Sequence, residues 1–280
     1  LADHVPNVKI IVTGSASFDL TNKVGEPLTG RHTALKLYPV AQLELLDSLT
    51  RYELEGKRED YLRFGAYPAV LNFSTNEEKI DYLRELVNSY LLKDILALEQ
   101  VKNSKILLDL LRLLAFQVGS EVSLSELASN LGIDSKTVAR YLDLLEKGFV
   151  IINIRGFSRN LRKEITKKSK YYFYDLGIRN AIISNFNPLN LRDDVGKLWE
   201  NFLVIERIKK QEYKKIFANN YFWRTWDQAE VDFVEERDGG IYGYEIKYGN
   251  KGSLNKQFLK QYPNAILEIV NTKNYLDFII

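Results

Sequence analysis

The segment 123–151, SLSELASNLGIDSKTVARYLDLLEKGFVI, constrains the fold more than any other part of this chain. It contains two amphipathic helical patterns joined at Gly132, a residue that allows a tight turn between helices. Ser123 is expected to cap the first helix in a capping box with Glu126, and Ser135 is expected to cap the second helix. The spacing therefore predicts a helix-turn-helix. The predicted buried residues are Leu124, Leu127, Leu131, Val138, Tyr141, Leu142 and Leu145.

Three polar residues of the second helix fall on its outward side, where a recognition helix presents donors to a DNA major groove. They are Lys136, Thr137 and Arg140. Strand-like segments at 149–154 and 171–174 flank a basic stretch, which predicts a wing whose cations contact phosphates. The DNA-binding residues predicted there are Arg159, Arg162 and Lys163, and the same stretch contains Lys167, Lys168 and Lys170. The expected partner is nucleic acid, with DNA favoured; the alternative is a protein-binding module, because winged helices also serve in that way.

The C-terminal part of the chain combines one helix with three strands that carry acidic residues. The helix is expected at 197–210, with Glu200 in its first turns. The strands are expected at 221–226, 230–236 and 241–249, in antiparallel succession.

The hairpin between the last two strands places two carboxylates face to face. Asp238 and Gly239 are a preferred pair for a type I′ turn, and that turn sets Asp232 opposite Glu245 with Cβ atoms about 5 Å apart. Lys247 lies on the same face because strand side chains alternate. Facing carboxylates are unfavourable unless a cation neutralises them, which indicates a Mg²⁺ or Mn²⁺ site with Asp232 and Glu245 as ligands. The alternative is a set of solvated charges on an exposed sheet face.

Composition restricts the chemistry to carboxylates and lysines. The 280 residues include no cysteine and two histidines, which excludes thiolate zinc sites and cysteine nucleophiles and nearly excludes histidine-based sites. With a net charge of +2, any nucleic-acid surface must come from local clusters of Lys and Arg. No signal peptide and no apolar run of about 20 residues occurs, so we expect a cytoplasmic protein with no membrane partner. Because the chain contains no Met, we expect a fragment or a processed chain.

The N-terminal region opens on an apolar, β-branched run at 8–13, which predicts a buried parallel strand. Open α/β sheets contact their ligands at the carboxyl end of such strands, and an ordinary polar loop is the alternative there. A helical region is expected to follow through about residue 99, interrupted at 61–71 by a Gly and a Pro.

The order of the acidic residues resembles the PD-(D/E)XK nuclease superfamily: Glu200 on a helix, Asp232 on a strand, then an ExK motif of Glu245 and Lys247. The resemblance implies that Asp232 and Glu245 bind the metal, that Lys247 assists catalysis, and that Glu200 completes the site. Val231 stands where the motif has Pro.

Nearly the whole chain resembles AAA-type ATPases of bacteria and archaea whose C-terminal half is a conserved domain of unknown function. The matching stretches are 12–17, 28–31, 61–68, 90–95, 172–181 and 230–233, together with the helix-turn-helix. The resemblance implies that Thr13, Ser15 and Arg31 sense nucleotide. No GxxxxGK[ST] motif occurs in these residues, so we expect no ATP hydrolysis by this chain. ATP and its Mg²⁺ are expected only in a full-length protein with the missing N-terminal ATPase domain, which the resemblance associates with oligomeric rings.

The fold class expected from these features is a multidomain α+β protein. The predicted division is an AAA remnant strand at 1–50, a helical lid or bundle at 51–104, a winged helix-turn-helix at 105–175, and an α/β restriction-endonuclease-like domain at 176–280. The expected function is a DNA-binding, nuclease-like module of an AAA-type ATPase, with metal-dependent phosphodiester hydrolysis as its chemistry. The alternatives are a catalytically inactive scaffold in an NTP-gated DNA- or protein-binding ATPase, and a regulatory transcription factor.

Overall fold

The computed structural model of the protein describes residues 35–91, 104–158, 169–249 and 254–280, together with the separate positions 11, 13, 14, 33 and 252. These residues form a mixed α/β structure with twelve α-helices and one seven-stranded sheet. Among the described helices, none combines the length and the apolar composition that crossing a bilayer requires.

The N-terminal region contains five helices, three of which begin at clear start signals. They are α1 (Gln42–Leu45), α2 (Arg51–Gly56), α3 (Arg58–Phe64), α4 (Pro68–Asn72) and α5 (Asn76–Glu85), the last continued by a π-helical turn at Leu86–Leu91. Thr50 and Glu53 form a capping box at α2, and Thr75 and Glu78 form another at α5. Pro68 occupies the first turn of α4, where its missing N–H has no cost. The described part of the region predicted to be helical is therefore mostly helical, but the interruption predicted at 61–71 is limited to residues 65–67, between α3 and α4.

The middle of the chain has the order helix, strand, helix, helix, strand, strand. These elements are α6 (Ser104–Phe116), β1 (Glu121–Val122), α7 (Leu124–Leu131), α8 (Ser135–Lys147), β2 (Ile151–Gly156) and β3 (Ser169–Phe173). Gly132 ends α7 in the left-handed conformation, with φ 65° and ψ 32°, as the turn required. The predicted inner face of α8 is buried, and Leu144 joins it.

Three local predictions for α7 and α8 are wrong. The Ser123 side chain makes no cap to α7, so the expected capping box is not formed. Asp134 caps α8 in place of Ser135, since its carboxylate accepts the Thr137 N–H at 2.9 Å. A carboxylate is the stronger acceptor there, and the helix dipole favours its charge. Leu124, predicted to be buried, is 41% exposed because it lies at the first turn of α7.

One sheet connects the middle of the chain with its C-terminal part. The remaining elements are α9 (Leu176–Ile182), a 3₁₀ turn (Leu189–Leu191), α10 (Val195–Tyr213), β4 (Asn219–Arg224), β5 (Glu230–Arg237), β6 (Gly240–Ile246), α11 (Lys256–Gln261), β7 (Ile266–Val270) and α12 (Tyr275–Ile279). The strand order is β1-β3-β2-β4-β5-β6-β7, with parallel pairing between β2 and β4 and between β6 and β7. The predicted domain boundary between 175 and 176 lies between β3 and β4, so strands on both sides of it belong to one sheet. The division into two domains at this point stays a prediction.

The hairpin register predicted from the turn is confirmed. Asp238 has φ 51° and Gly239 has φ 74°, the two positive values that a type I′ turn requires. Val234 pairs with Gly243 as expected, and the pairing continues to the residues next to the two carboxylates. The antiparallel succession of β4, β5 and β6 is also confirmed.

A buried ion pair attaches α10 to the sheet. Arg207 donates through Nε and Nη2 to the Glu235 carboxylate at 2.5 and 2.9 Å, and through Nη1 to the Phe278 carbonyl at 2.8 Å. Gln211 adds a bond to the same carboxylate at 2.8 Å. Although burial opposes ionisation, the bonds from Arg207 hold the pKa of Glu235 below its usual value. The charge therefore fixes the position of α10 on β5 and beside α12.

Helices α3 and α9 approach each other too closely for a side chain at Gly177. A Cβ atom at Gly177 would lie 2.1 Å from the carbonyl oxygen of Phe64. Asp175 caps α9 at the same point, accepting the N–H of Ile178 at 3.2 Å and that of Ala66 at 2.7 Å. The close approach joins the N-terminal helices to the chain segment that follows β3.

We expect Gly177→Ala to destabilise the protein by about 1–3 kcal/mol or more, because a backbone carbonyl must move to admit the methyl group. The matched control is Gly56→Ala, in α2, where an added Cβ would meet nothing within 4 Å. That change should be neutral or stabilising by up to about 1 kcal/mol. Urea unfolding of both variants measures the two effects, and equal midpoints would contradict the close approach.

Candidate functional site

One edge of the sheet collects the acidic residues and the lysine that the sequence indicated. β5 starts at this edge and β6 returns to it, so Asp232 lies beside Glu245 and Lys247. β3 also starts there, because it is antiparallel to β2 and β2 is parallel to β4. α10 carries Glu200 to the same edge, where Glu200 contacts a residue of β3.

Asp232 is held by the end of β6. It is 9% exposed, and its Oδ2 accepts the N–H of Ile246 at 2.7 Å and the Nζ of Lys247 at 3.2 Å. Its other oxygen, Oδ1, accepts no hydrogen bond from the residues that the structure describes. The Lys247 side chain is 39% exposed, so its amine faces Asp232 on one side and solvent on the other.

Glu245 is buried and has one bonded oxygen. Its Oε1 accepts the N–H of Asn255, just before α11, at 2.5 Å, and it is 5% exposed. Burial raises the pKa of Glu245, and the negative charge of Asp232 raises it further, against the opposing charge of Lys247. The Oε2 atom accepts no bond within the described part of the chain. A cation would therefore find an oxygen that no described residue bonds, on a carboxylate that is costly to ionise alone.

Glu200 enters the cluster from α10. Its Oε1 accepts the Tyr172 hydroxyl at 2.6 Å and the Lys170 Nζ at 3.1 Å, and its side chain is 15% exposed. Burial raises the pKa of Glu200 in spite of the Lys170 charge, and Asp232 adds to the increase. Gly119 leaves room for this carboxylate, since a Cβ there would lie 3.2 Å from its atoms.

Lys170 is not a solvated cation of the basic stretch, as its place in the sequence suggests. It is 1% exposed, and its Nζ lies 3.1 Å from Glu200 and 2.5 Å from Glu230. Although desolvation lowers the pKa of Lys170, the surrounding carboxylates raise it well above its usual value. The alternation of β3 was the available signal, because residues 170 and 172 share one face of the strand. The amine is therefore part of the carboxylate cluster.

Of the four residues predicted to form the catalytic site, Asp232 and Lys247 are in direct contact, and Glu200 and Glu245 lie at the same edge of the sheet. The charge of Asp232 acts on both Glu200 and Glu245, and Lys247 forms an ion pair with Asp232. Within the described residues there is no group of three or more His, Cys, Asp or Glu side chains arranged to hold a metal ion. The candidate metal ligands remain the two predicted, Asp232 and Glu245.

The predicted DNA-binding residues on α8 are partly accessible. Lys136 and Arg140 are exposed, and the Arg140 guanidinium lies 5.4 Å from the centre of the Tyr141 ring. Thr137 was predicted to face outward, but it is half-buried and its hydroxyl donates to Asp134 at 2.6 Å as part of the helix cap. Its hydroxyl is therefore already bonded.

Several predicted residues lie outside the described part of the chain. These are Arg159, Arg162 and Lys163 of the basic stretch, and Ser15 and Arg31 of the nucleotide-sensing set. Thr13 is described as an exposed residue in neither a helix nor a strand. β2 and β3, which flank the basic stretch in the sequence, have their neighbouring ends at the edge that holds the carboxylates.

Three family models match the chain in succession. An AAA domain matches residues 1–46, a domain of unknown function (DUF8612) matches residues 55–189, and a second domain of unknown function (DUF4143) matches residues 195–275. These matches support an AAA-type ATPase-like protein.

Curated relatives are similar over most of this chain. An uncharacterized protein of Mycobacterium tuberculosis is 26% identical over 89% of this chain and 54% of its own length. Uncharacterized proteins of Haemophilus influenzae and Methanocaldococcus jannaschii are 24% and 22% identical, over 86% and 94% of this chain and 60% and 62% of theirs. The chain thus spans between half and two thirds of the length of these relatives. The crystal structure of protein VC1899 from Vibrio cholerae aligns with 74% of this chain and 56% of its own at 11% identity and a TM-score of 0.23, a value that supports no argument about fold.

We expect Glu245→Gln to stabilise the protein at neutral pH. Between the usual glutamate pKa of 4.5 and the raised value, the folded protein keeps a proton that the unfolded chain has released, so stability falls as pH rises through that window. Gln keeps an acceptor for Asn255 and has no charge to desolvate. The gain at pH 8 should be about 1.4 kcal/mol for each unit by which the pKa is raised, and it should vanish below pH 4.

Urea midpoints from pH 4 to pH 8 measure this difference. The matched control is Glu236→Gln, an exposed residue on β5, for which we expect no comparable pH-dependent gain. A Glu245→Gln variant that is less stable than the wild type at pH 8 would contradict the proposed burial of the charge.

Proposed function

We propose that this chain is a nucleic-acid-binding, nuclease-like part of an AAA-type ATPase, with phosphodiester hydrolysis as its chemistry. The observation that carries the proposal is the meeting of Glu200, Asp232, Glu245 and Lys247 at one sheet edge. These residues come from a helix and two strands, so their proximity is a property of the fold and not of one local motif. The family matches support the ATPase part of the proposal.

The donor set fits a hard divalent cation. Asp232 and Glu245 each have one oxygen bonded to the backbone and one that accepts no bond from the described residues. Mg²⁺ is commonly held by one or two carboxylates, with water and substrate phosphate completing its shell. Bound there, Mg²⁺ or Mn²⁺ would polarise a phosphodiester and lower the pKa of a water molecule. Glu200 would serve as an auxiliary carboxylate.

The residues around the carboxylates have distinct parts in this proposal. Lys247, with its amine partly in solvent, would stabilise the negative charge that develops on phosphate during cleavage. Lys170 and Tyr172 are positioning residues, because they fix one oxygen of Glu200, and the other oxygen accepts no bond from the described residues. Glu200 has a raised pKa and would hold or accept a proton near the reacting water.

The elements before the site favour a winged helix as the nucleic-acid-binding part. Their order from α6 to β3, with β1 paired to β3 and β3 to β2, is the order expected for that module. Lys136 and Arg140 are the exposed cations of α8 in this interpretation. The proposal assigns no ATP hydrolysis to this chain, since no GxxxxGK[ST] motif occurs in it.

A second candidate function is a scaffold of nuclease-like fold that binds nucleic acid or protein without cleaving it. One observation favours it: Lys170 and Lys247 already form ion pairs with Glu200, Glu230 and Asp232. Two buried or half-buried lysines neutralise much of the negative charge that would otherwise require a metal ion. The two candidates differ in whether a divalent cation binds with a measurable affinity.

We expect Asp232→Asn to abolish divalent-cation binding and to lower DNA cleavage by on the order of 100-fold or more, because a ligand charge is lost. Asn keeps an oxygen for the Ile246 N–H, so the strand end should stay folded. Calorimetric titration with Mg²⁺ and Mn²⁺ measures the first effect, and cleavage of duplex, branched and single-stranded DNA measures the second. Glu236→Gln removes an equal charge from the exposed side of β5 and should change neither. Cleavage that survives Asp232→Asn would contradict the proposed mechanism. If the wild-type protein binds no divalent cation, the non-cleaving scaffold is the better description of its function.

For the helix-turn-helix, we expect Arg140→Ala and Lys136→Ala each to weaken DNA binding and to reduce the salt slope of the affinity by about one. Both residues are exposed on α8, whereas Arg112, on α6, pairs with Asp109 at 3.0 Å and serves as the control for loss of one surface cation. Fluorescence anisotropy of a labelled duplex over a range of salt concentrations measures the slope. If both α8 variants keep the wild-type dependence of affinity on salt, as Arg112→Ala is expected to do, α8 does not face the DNA.

A further inference from the structure

The three tryptophans of this chain have opposite environments. Trp199 and Trp223 are 0% and 1% exposed, whereas Trp226 is 100% exposed. Trp226 lies in the turn between β4 and β5, two residues after Arg224, the last residue of β4. A fully solvated indole carries a large apolar surface that folding does not use, so its position needs an explanation outside the core.

The turn that holds Trp226 is ordered by its own hydrogen bonds. Thr225 donates its N–H to the Ala229 carbonyl at 2.9 Å, and the Thr225 hydroxyl accepts the Ala229 N–H at 3.1 Å. Gln228 donates its N–H to the Thr225 carbonyl at 3.2 Å and has φ 67°. These bonds close the turn beneath Trp226 and leave its ring outside. The indole is therefore presented on a defined hairpin tip.

The hairpin tip stands at the edge of the sheet that holds the carboxylates. β5 begins at Glu230, whose carboxylate pairs with Lys170 at 2.5 Å, and Asp232 follows two residues later on the same face. Ala229 and Asp232 are three residues of extended strand apart, about 10 Å. Trp226 lies beyond Ala229, at the tip of the same turn, so a nucleic-acid strand bound at Asp232 and running toward this turn would pass Trp226.

The surroundings of Trp226 are polar. Asp227 and Gln228 are exposed next to it, and the Arg224 guanidinium lies 3.9 Å from Glu230 with part of its side chain in solvent. A protein-binding hot spot has an aromatic residue inside an apolar patch, whereas sites that stack bases combine an exposed aromatic face with a cation. Among the neighbours of Trp226, Arg224 is that cation. Stacking requires the face of a base, and in a duplex neighbouring bases cover those faces.

We infer that Trp226 stacks on an unpaired base of the nucleic acid, next to the phosphodiester that the carboxylate cluster receives. The inference rests on the proposed function and makes it narrower: the substrate class is nucleic acid with a single-stranded segment, such as a tail, a flap or an open junction. Stacking tolerates every base, so the contact selects structure and not sequence.

The test uses the intrinsic fluorescence of the 280-residue protein in EDTA, so that binding is measured without cleavage. The probes are a single-stranded oligothymidine, a blunt duplex, and the same duplex with an oligothymidine tail. Oligothymidine should quench the wild-type emission through Trp226, because the other two indoles are buried. Trp226→Ala should abolish the quenching and weaken binding of the tailed and single-stranded probes roughly 5- to 150-fold by anisotropy. Affinity for the blunt duplex should stay unchanged.

Two further variants serve as controls. Trp226→Phe keeps an aromatic face and should retain most of the single-strand affinity while losing the fluorescence signal. Phe217→Ala removes another exposed aromatic side chain, 88% exposed, before the opposite end of β4, and should bind all probes like the wild type.

The outcomes separate this inference from the proposed function. If Trp226→Ala binds the probes as tightly as the wild type does, and the wild type shows no quenching, the inference about Trp226 is wrong and the proposed function is unaffected. Equal weakening of blunt and tailed probes would also overturn it, since the contact would then be general. A wild type that binds none of the probes contradicts the proposed function as well. Loss of self-association in Trp226→Ala, seen by sedimentation with unchanged oligonucleotide binding, would assign the indole to a protein contact instead.

Discussion

The buried amine of Lys170 is the charge on which the arrangement of the candidate site depends. It lies on β3, in the middle of the chain, and pairs with Glu200 on α10 and Glu230 on β5. A carboxylate without this partner would be buried beside the like charge of Asp232, which is strongly unfavourable. The ion pairs therefore join β3 to the C-terminal elements at the same edge where β2 and β4 are hydrogen-bonded. The pairing of β2 with β4 and the ion pairs of Lys170 therefore hold the same two parts of the chain together.

This constraint explains why the site suits both candidate functions. Lys170 and Lys247 compensate part of the negative charge of Glu200, Glu230 and Asp232, which lowers the cost of holding these carboxylates together without a cation. Glu245 has no lysine within ion-pair distance among the described residues, and burial raises its pKa although the charge of Lys247 opposes the increase. A divalent cation would supply the charge that is missing at Glu245 and Asp232. A metal site differs from a neutralised scaffold in the negative charge that remains after the lysine ion pairs are counted. The number of acidic residues alone does not separate the two.

Local features were predictable from the sequence because they depend on neighbouring residues. The turn at Asp238 and Gly239 fixed the hairpin register, and the register brought Glu245 and Lys247 to Asp232. The role of Lys170 was not predictable in the same way, because its position in a basic stretch suggested a solvated cation. Its burial depends on the parallel pairing of β2 with β4, a contact between segments far apart in sequence. The cap of α8 was misassigned for a local reason, since two adjacent polar residues compete for the same N–H groups and the carboxylate prevails.

The same topology brings the carboxylate cluster and the turn that carries Trp226 to one end of the strands. β2, β3, β4, β5 and β6 all have one end at the carboxylate edge, and the turn that carries Trp226 connects two of them. Helix α8 leads directly into β2, so the helix that would contact a duplex is followed by a strand directed to this edge. Displacing β3 from β5 would separate Lys170 from buried carboxylates, at a large electrostatic cost. The helix proposed to contact a duplex and the carboxylate cluster are therefore expected to keep a fixed relation, which would suit a substrate in which duplex and unpaired strand meet.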